Sequence, residues 1–271
     1  MKENVTVVFS KNRGMQLNLC LETIFRNCDD IAKKTDIYVL YKADEEYIPG
    51  YDILKNRYKQ VIFVEEKDFK QDLLDIVSSK KHVLFFVDDN VVTGKFLFSD
   101  IEKGLENNPD VLGVSLRLGK NTTNCFSYNK EQNVPNMEKS GYFMKFNWQK
   151  AELDFNYPIE LSSSVFRVED IIDILENCSY NSPNFLEQAM SESYIKDKPY
   201  LLCYEKSVSF CFPINRVQDS HPNRSANVDI ADLNKIFLDG WHIRAENFYE
   251  HISTGAHELP EGIFEMVRDE F

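Results

Sequence analysis

Short apolar runs alternate with amphipathic segments along the first half of the chain. The apolar runs predict β-strands at 5–9, 37–41, 61–64, 83–87 and 111–116. Between them, apolar residues recur with helical spacing in segments that begin near residue 15, near 69 and near 96. Wholly apolar strands that alternate with amphipathic helices are typical of a parallel sheet with helices on both faces. The pattern therefore predicts an α/β fold.

The second half of the chain has a less regular pattern. Strands rich in Tyr and Phe are expected near 142–147 and 199–212, and a helical tail around 233–241. Two further helices are expected to begin near Val168 and at Pro183, with Ser182 as the N-cap of the second. Because no shift in composition marks a boundary, we predict one domain over 1–271.

Composition narrows the class of protein. The chain has 271 residues, 43% of them apolar and 28% charged, and a formal net charge of -13. The acidic balance argues against a nucleic-acid partner, which usually requires a basic surface. The first strand begins so close to the N-terminus that no signal peptide is expected, and a cytoplasmic location is predicted. The six cysteines form no CxxC pair, so buried free thiols are expected.

The apolar run 83–87 ends in three polar residues within the stretch HVLFFVDDNVV. These are Asp88, Asp89 and Asn90. In open α/β sheets, ligands bind beyond the carboxyl ends of the strands. Carboxylate and amide oxygens there suit Mg²⁺ or Mn²⁺, which hold phosphates through one or two carboxylates. The alternative is a plain solvated turn, since Asp and Asn are common turn residues.

The loop after the first strand reads SKNRGMQL and contains Ser10, Asn12 and Arg13. It leads into a helix, and the N-terminus of a helix attracts anions. The alternative is an ordinary polar loop. If Arg13 only binds a ligand, an Arg13→Ala protein is expected to keep its melting temperature.

A late loop, INRVQDSHPNRSAN at 214–227, contains Arg216, His221 and Arg224. Arginine can hold phosphate with two hydrogen bonds, and a neutral imidazole can complete the ligands of a metal. A plain surface loop is the alternative. His251 and His257 fit no standard metal spacing and are expected at the surface. The chain contains no G-x-G-x-x-G, P-loop or H-E-x-x-H motif.

Taken together, these stretches resemble one family. VVFSKNRGMQLNLCLETIF resembles the opening of family-2-like bacterial glycosyltransferases with the GT-A fold, and FFVDDN is similar to their DxD motif, although Asn90 takes the third position. The stretches IELSSSVFR, SPNFLEQ, INRVQDSHPNR and LNKIFLDGW are also similar to bacterial proteins of this class. The resemblance implies a single GT-A domain, with a nucleotide-binding half at 1–120 and an acceptor-binding half with C-terminal helices at 121–271.

The resemblance implies a role for each candidate residue. Asp89 would contact a Mn²⁺ or Mg²⁺ ion and take part in catalysis, with Asn90 and His221 as further metal ligands. Asp88 would contact ribose or sugar hydroxyls. The nucleotide pocket would be lined by Ser10, Asn12 and Arg13, with Arg224 on phosphate. Glu187 is our choice of catalytic base, in competition with Asp154 and Glu160.

The implied activity is transfer of a sugar from a nucleotide-diphosphate donor, a UDP-sugar as first choice, to a hydroxyl of a glycan or glycolipid. Such an enzyme would serve the synthesis of surface polysaccharides or glycoconjugates, and peripheral contact with a membrane is compatible with that role. Whether the configuration of the sugar is inverted or retained stays open. Two alternatives remain: a non-catalytic nucleotide-sugar-binding protein of the same fold, and a sugar nucleotidyltransferase, which would need a more Gly-rich first loop.

Overall fold

The computed structural model describes residues 2–193, 197–217 and 224–268. The strands are β1 (Asn4–Lys11), β2 (Thr35–Lys42), β3 (Val61–Glu65), β4 (His82–Val87), β5 (Asn90–Val92), β6 (Val111–Ser115), β7 (Asn124–Cys125), β8 (Lys130–Glu131), β9 (Met137–Ser140), β10 (Phe143–Asn147), β11 (Ser164–Arg167), β12 (Tyr200–Cys203), β13 (Ser209–Cys211), β14 (Trp241–Ile243) and β15 (Met266–Arg268). The α-helices are α1 (Gly14–Asn27), α2 (Ile31–Lys34), α3 (Ile48–Arg57), α4 (Phe69–Val77), α5 (Phe98–Glu106), α6 (Val168–Asn177), α7 (Pro183–Glu192) and α8 (Ile230–Leu238). Short 3₁₀ helices lie at Glu45–Tyr47, Trp148–Lys150, Leu153–Asn156 and Ala245–Phe248.

A nine-stranded sheet forms the centre of the molecule, in the order β3-β2-β1-β4-β11-β6-β12-β10-β9. β3, β2, β1 and β4 are parallel neighbours, and β6 pairs in parallel with β12. β11 runs antiparallel to both β4 and β6, and β10 runs antiparallel to β12 and β9. The sheet is therefore mainly parallel, with two strands of opposite direction.

The five predicted strands of the first half are all confirmed, and so is the mainly parallel sheet. β4 lies in the interior of the sheet between β1 and β11, as its apolar sequence predicts. The predicted strand near 199–212 is two strands, and only β12 joins the main sheet. Helix α3 was not predicted, because its sequence IPGYDILKNR contains Pro and Gly and shows little helical periodicity.

Apolar side chains pack on both faces of the sheet. On one face, Leu17 of α1 and Leu105 of α5 join a core that includes Val8 of β1. On the other face, Leu73 of α4 and Leu175 of α6 join a second core. Alternating residues of one strand thus serve opposite layers, which fixes the register of the sheet.

The cysteines are in the state that the sequence predicts. All six cysteines are free thiols, five of them buried and Cys178 partly buried. Within the described part of the chain, no helix is long and apolar enough to cross a membrane.

Candidate active site

The acidic residues lie in the tight turn between β4 and β5. Asn90 begins β5 and is fully buried. Its amide oxygen accepts a hydrogen bond from the Val87 N–H at 2.8 Å, and its amide nitrogen donates to Cys211 Sγ at 3.0 Å. The side chain of Asn90 thus closes the turn that presents Asp88 and Asp89 at the carboxyl edge of the sheet.

Arg13 holds both aspartates from the opposite side. Its Nη1 lies 2.8 Å from Asp88 Oδ1 and 3.3 Å from Asp89 Oδ2. Its Nη2 donates to the carbonyl oxygen of Asn215 at 2.7 Å. Because the side chain of Arg13 is only 8% exposed, this cation is a fixed part of the acidic turn.

The loop after β1 is fastened to the same turn. The Ser10 hydroxyl and the Lys11 N–H both donate to Asp88 Oδ2, at 2.9 and 3.2 Å. Asn12 has a left-handed backbone, with φ of 58°, and its amide exchanges hydrogen bonds with Asp44 at 2.7 and 2.9 Å. Asn tolerates this conformation better than most residues, so Asn12 shapes the loop.

The electrostatics of the turn favour a further cation. Burial raises the pKa of Asp89 above its ordinary value; the neighbouring Arg13 lowers it, and the charge of Asp88 raises it again. Two carboxylates share one guanidinium, so the cluster keeps an excess of negative charge. The side chain of Asp89 is 18% exposed, against 5% for Asp88. Asp89 is therefore the more accessible carboxylate for an added cation.

A cleft of about 1130 Å³ opens over this edge of the sheet. Residues from both halves of the chain line it, including Ser10, Lys11, Arg13, Lys42, Asp88, Asp89, Arg117, Phe126, Tyr128, Asp154, Tyr157, Glu160, Phe185, Glu187, Cys211, Asn215, Arg216, Arg224 and His257. The cleft is large enough for a nucleotide and part of a second ligand.

Glu187 projects into the cleft from α7. One carboxylate oxygen accepts a hydrogen bond from the Leu161 N–H at 2.8 Å, which fixes its position. Tyr157 lies beside it: burial and the negative charge of Glu187 raise the pKa of Tyr157 to about 12. Glu187 is thus an oriented carboxylate at the surface of the cleft.

The two competing carboxylates also have partners, and Glu160 is paired with a cation. Glu160 is buried, forms an ion pair with Arg117, and accepts hydrogen bonds from Ser115 and Ser164 at 3.0 Å each. Asp154 accepts from the Gln132 amide at 3.0 Å. Of the three carboxylates, Glu160 is the least suited to accept a proton, because it is already paired with a cation.

The late loop is described only at its ends. Arg216 and Arg224 line the cleft, whereas His221 lies outside the described residues. Arg224 donates to the Phe126 carbonyl at 2.7 Å and to the Asn129 side chain at 2.9 Å, and its guanidinium lies 4.5 Å from the Phe126 ring centroid. Arg224 therefore fastens the late loop to the β7–β8 hairpin at the mouth of the cleft.

Sequence reasoning missed two residues of the cleft. Arg117 is buried and donates to Cys211 Sγ at 3.0 Å. His257, expected at the surface, is partly buried and lines the cleft. His251, also expected at the surface, is partly buried as well, with its Nε2 3.1 Å from Glu258 Oε1. No local signal marks His257, because a backbone bridge to Cys211 far away in sequence puts it there.

The chain is similar in sequence to a known glycosyltransferase. No family model matches the chain. The chain is 26% identical over 280 residues to the bifunctional glycosyltransferase pgtA of Dictyostelium discoideum, covering 90% of the chain but 36% of that protein. The chain thus spans about a third of the length of the curated relative that it matches.

Two solved structures share the fold. S. aureus TarS 1-349 in complex with UDP aligns with a TM-score of 0.52 and 11% identity, covering 78% of this chain and 60% of that one. Its complex with UDP-GlcNAc gives a TM-score of 0.50 and 11% identity, covering 82% and 60%. The chain has a GT-A-type fold, and the resemblance to GT-A glycosyltransferases predicted from its sequence is confirmed.

Proposed function

We propose that this chain transfers a sugar from a nucleotide-diphosphate donor to an acceptor hydroxyl in the cleft over Asp88 and Asp89. The observation that carries the proposal is the acidic turn with its built-in Arg13, placed at the carboxyl edge of a GT-A sheet. The similarity to a protein named as a glycosyltransferase supports it independently. TarS, which shares the fold, has been solved in complex with UDP and with UDP-GlcNAc, and this supports a UDP-sugar as the first choice of donor.

The donor diphosphate would lie in the cleft next to Asp89, whose carboxylate Arg13 contacts at 3.3 Å. As the glycosidic bond breaks, the nucleoside diphosphate gains negative charge, and preorganised cations near the leaving oxygen stabilise that charge. Arg13 is held by Asp88 and the Asn215 carbonyl, so its orientation costs little at the moment of reaction. Ser10 and Asp88 would form the adjacent wall of the nucleotide pocket, and Arg224 would close it. Asn12, expected in the same wall, is not among the residues that line the cleft and would act by holding the loop to Asp44.

No group of three His, Cys, Asp or Glu side chains in the described part of the chain could hold a metal ion by itself, so a Mg²⁺ or Mn²⁺ ion would depend on Asp89 together with the donor phosphates. Asp88 is held by Arg13, Ser10 and Lys11, and the Asn90 amide is used inside the turn, which leaves Asp89 as the available carboxylate. Mg²⁺ is commonly held by one or two carboxylates together with substrate phosphates. Asp89 would hold the ion, with His221 as a further candidate, and the ion would offset the charge of the diphosphate. The expectation that Asn90 is a metal ligand is wrong, because Asn90 is fully buried and both atoms of its amide are bonded within the protein.

Glu187 would act as the base in an inverting reaction. A carboxylate within reach of the acceptor hydroxyl can take its proton as the new bond forms. The hydrogen bond from the Leu161 N–H orients the Glu187 carboxylate towards the cleft. The Tyr157 hydroxyl lies close enough to Glu187 for the carboxylate charge to raise its pKa.

The acceptor would be a glycan or glycolipid bound in the outer half of the cleft. Tyr128, Tyr157 and Phe185 line this part and are 70%, 39% and 43% exposed. Exposed aromatic rings on a cleft provide large, amphipathic contact surfaces. They are suited to the apolar faces of sugar rings.

A screen of nucleotide sugars tests the proposed function. UDP-, GDP-, CMP- and dTDP-sugars are added with Mn²⁺, and the melting temperature is recorded. A ligand at 100 times its dissociation constant adds about 2.7 kcal/mol of stability, which is visible as a clear shift. Release of the nucleoside diphosphate is then measured with the sugar that gives the largest shift.

The variants separate transfer from binding. Glu187→Gln is expected to bind the donor normally but to lose transfer, whereas Asp89→Asn is expected to lose Mn²⁺-dependent binding. Binding without any release of diphosphate would favour a non-catalytic sugar-binding protein. Incorporation of a nucleoside triphosphate into a nucleotide sugar would favour a nucleotidyltransferase. No shift with any nucleotide sugar would refute the proposal.

A further inference from the structure

His257 is placed beside the acidic turn by a row of paired backbones. The Cys211 N–H donates to the Ala256 carbonyl at 2.9 Å, and the Glu258 N–H donates to the Cys211 carbonyl at 3.0 Å. On its other side, Cys211 pairs with Asn90. Directly paired residues of neighbouring strands project to the same face. Asn90, Cys211 and His257 therefore lie side by side, and the row begins next to Asp89.

Arg117 sets the tautomer of the His257 ring. Its Nη1 lies 3.4 Å from His257 Nε2 and 3.0 Å from Cys211 Sγ. A guanidinium can only donate hydrogen bonds, so Nε2 is the acceptor and the ring proton lies on Nδ1. Burial and the charge of Arg117 also lower the pKa of His257 to about 3, which keeps the ring neutral.

The Nδ1–H group remains available to a ligand. No described residue forms a hydrogen bond with Nδ1. Nδ1 is also not one of the fully buried polar atoms that lack a partner in the described residues, so it is accessible from the cleft. The ring borders the cleft together with Asp89 and Glu160, and it stacks against Phe126 at an interplanar angle of 22°. His257 thus presents one neutral donor in a fixed orientation.

We propose that His257 Nδ1–H donates a hydrogen bond to a hydroxyl of the sugar carried by the donor, and so helps to select that sugar. The inference rests on the proposed function, because it needs a nucleotide sugar at the acidic turn. The sugar is bonded directly to the phosphate that Asp89 would hold, so it must lie near the start of the row. His257 is two strand spacings away, about 10 Å, which the sugar and its hydroxyls can span from that phosphate. A neutral donor suits a hydroxyl, whereas the phosphates are matched by the cations.

The two amide replacements of histidine test this proposal. In His257→Asn, the amide nitrogen can take the place of Nδ1; in His257→Gln, the amide can replace Nε2 and its contact with Arg117. His257→Phe removes both functions. Each protein is titrated calorimetrically, in the presence of Mn²⁺, with UDP- and GDP-sugars and with UDP and GDP alone. Melting temperatures are recorded for all variants.

The expected result has a clear pattern. His257→Phe and His257→Gln bind the sugar nucleotide about fivefold to tenfold more weakly, the loss of one neutral hydrogen bond. His257→Asn stays near wild type, and the affinity for the free diphosphate is unchanged in all three. The proposal would be overturned if His257→Gln keeps the wild-type affinity for the sugar nucleotide and His257→Asn loses it, because His257 would then act through Arg117. The proposal would also be overturned if the variants bind the free nucleoside diphosphate as much more weakly as they bind the sugar nucleotide.

A failure of the proposed function would be distinguishable. It would appear in the wild-type protein, as an absence of binding to any nucleotide sugar, and would overturn both proposals. If the wild-type protein binds a nucleotide sugar and His257→Phe binds it equally well, only the role of His257 is refuted.

Discussion

Arg13 combines a role in stability with its proposed role in binding. Sequence alone suggested that Arg13→Ala would keep its melting temperature, but the guanidinium is buried between Asp88, Asp89 and the Asn215 carbonyl. Its removal leaves a buried carboxylate without its cation. Because such a loss usually costs about 3–5 kcal/mol, we expect a decrease of this order in the free energy of unfolding. Urea denaturation measures it.

Arg224→Ala is the matched control, since Arg224 also borders the cleft but is exposed. It should change the free energy of unfolding by less than about 1 kcal/mol. Similar stability in the two variants would show that the Arg13 network does not stabilise the fold.

Asp89 should make cation binding depend on pH. Its pKa is raised by burial and by Asp88, against the opposing effect of Arg13, and a proton competes with a divalent ion for the same carboxylate. Affinity for Mn²⁺ in the presence of UDP should therefore weaken as the pH falls, beginning at a higher pH than for an ordinary aspartate. Calorimetry at a series of pH values from 7 downwards, over the range in which the protein stays folded, tests this. A constant affinity over this range in the wild-type protein would contradict the assignment of Asp89.

At the scale of elements, the insertion of β11 between β4 and β6 requires a residue without a side chain. A Cβ on Gly113 of β6 would lie 2.6 Å from the Val165 carbonyl oxygen and 2.9 Å from the Phe166 ring. Gly113→Ala should therefore force the strands apart and lower the free energy of unfolding by about 1–3 kcal/mol.

The control for Gly113 is Lys139→Ala, an exposed position on the edge strand β9. It should be nearly neutral when unfolding is followed by urea denaturation. If Gly113→Ala is equally neutral, the packing of β6 against β11 is looser than these distances indicate.

The elements that could be predicted from sequence are those whose signal is local. β4 and α4 follow directly from an apolar run and a helical period, and Asp88 to Asn90 follow from their place after a strand. The antiparallel β11 and the row that ends at His257 depend on pairing between distant segments. Register between such segments is set by packing in the folded chain, so no short window of sequence records it.

At the scale of the whole molecule, the two halves of the chain share one sheet. β6 belongs to the first half, yet its neighbours β11 and β12 both come from the second. We therefore expect residues 1–120 alone not to fold, because β4 would lose one neighbouring strand and β6 would lose both. Circular dichroism of this fragment and a single cooperative transition in the full chain would support one domain. A folded fragment 1–120 would contradict it.

The whole molecule should also lose stability below neutral pH, because two histidines are kept neutral in the folded state. Burial lowers the pKa of His82 to about 4 and that of His257 to about 3, whereas both return to about 6.5 when the chain unfolds. Below about pH 6.5 the unfolded state therefore binds more protons, and the free energy of unfolding falls as the pH falls. For one such histidine the loss between pH 7 and pH 5 is about 2 kcal/mol.

His82 allows a clean measurement of this effect. Its Nδ1 donates to the Asn4 amide oxygen at 3.0 Å, because the Asn4 amide nitrogen already donates to Glu102 and the Lys34 carbonyl. In His82→Asn, an amide that cannot titrate can replace this donor. Urea denaturation at pH 7 and pH 5 should show a smaller loss of stability in His82→Asn than in wild type, even if the variant is less stable at both. The same loss in both proteins would mean that His82 is charged in the folded state or that its pKa is not lowered.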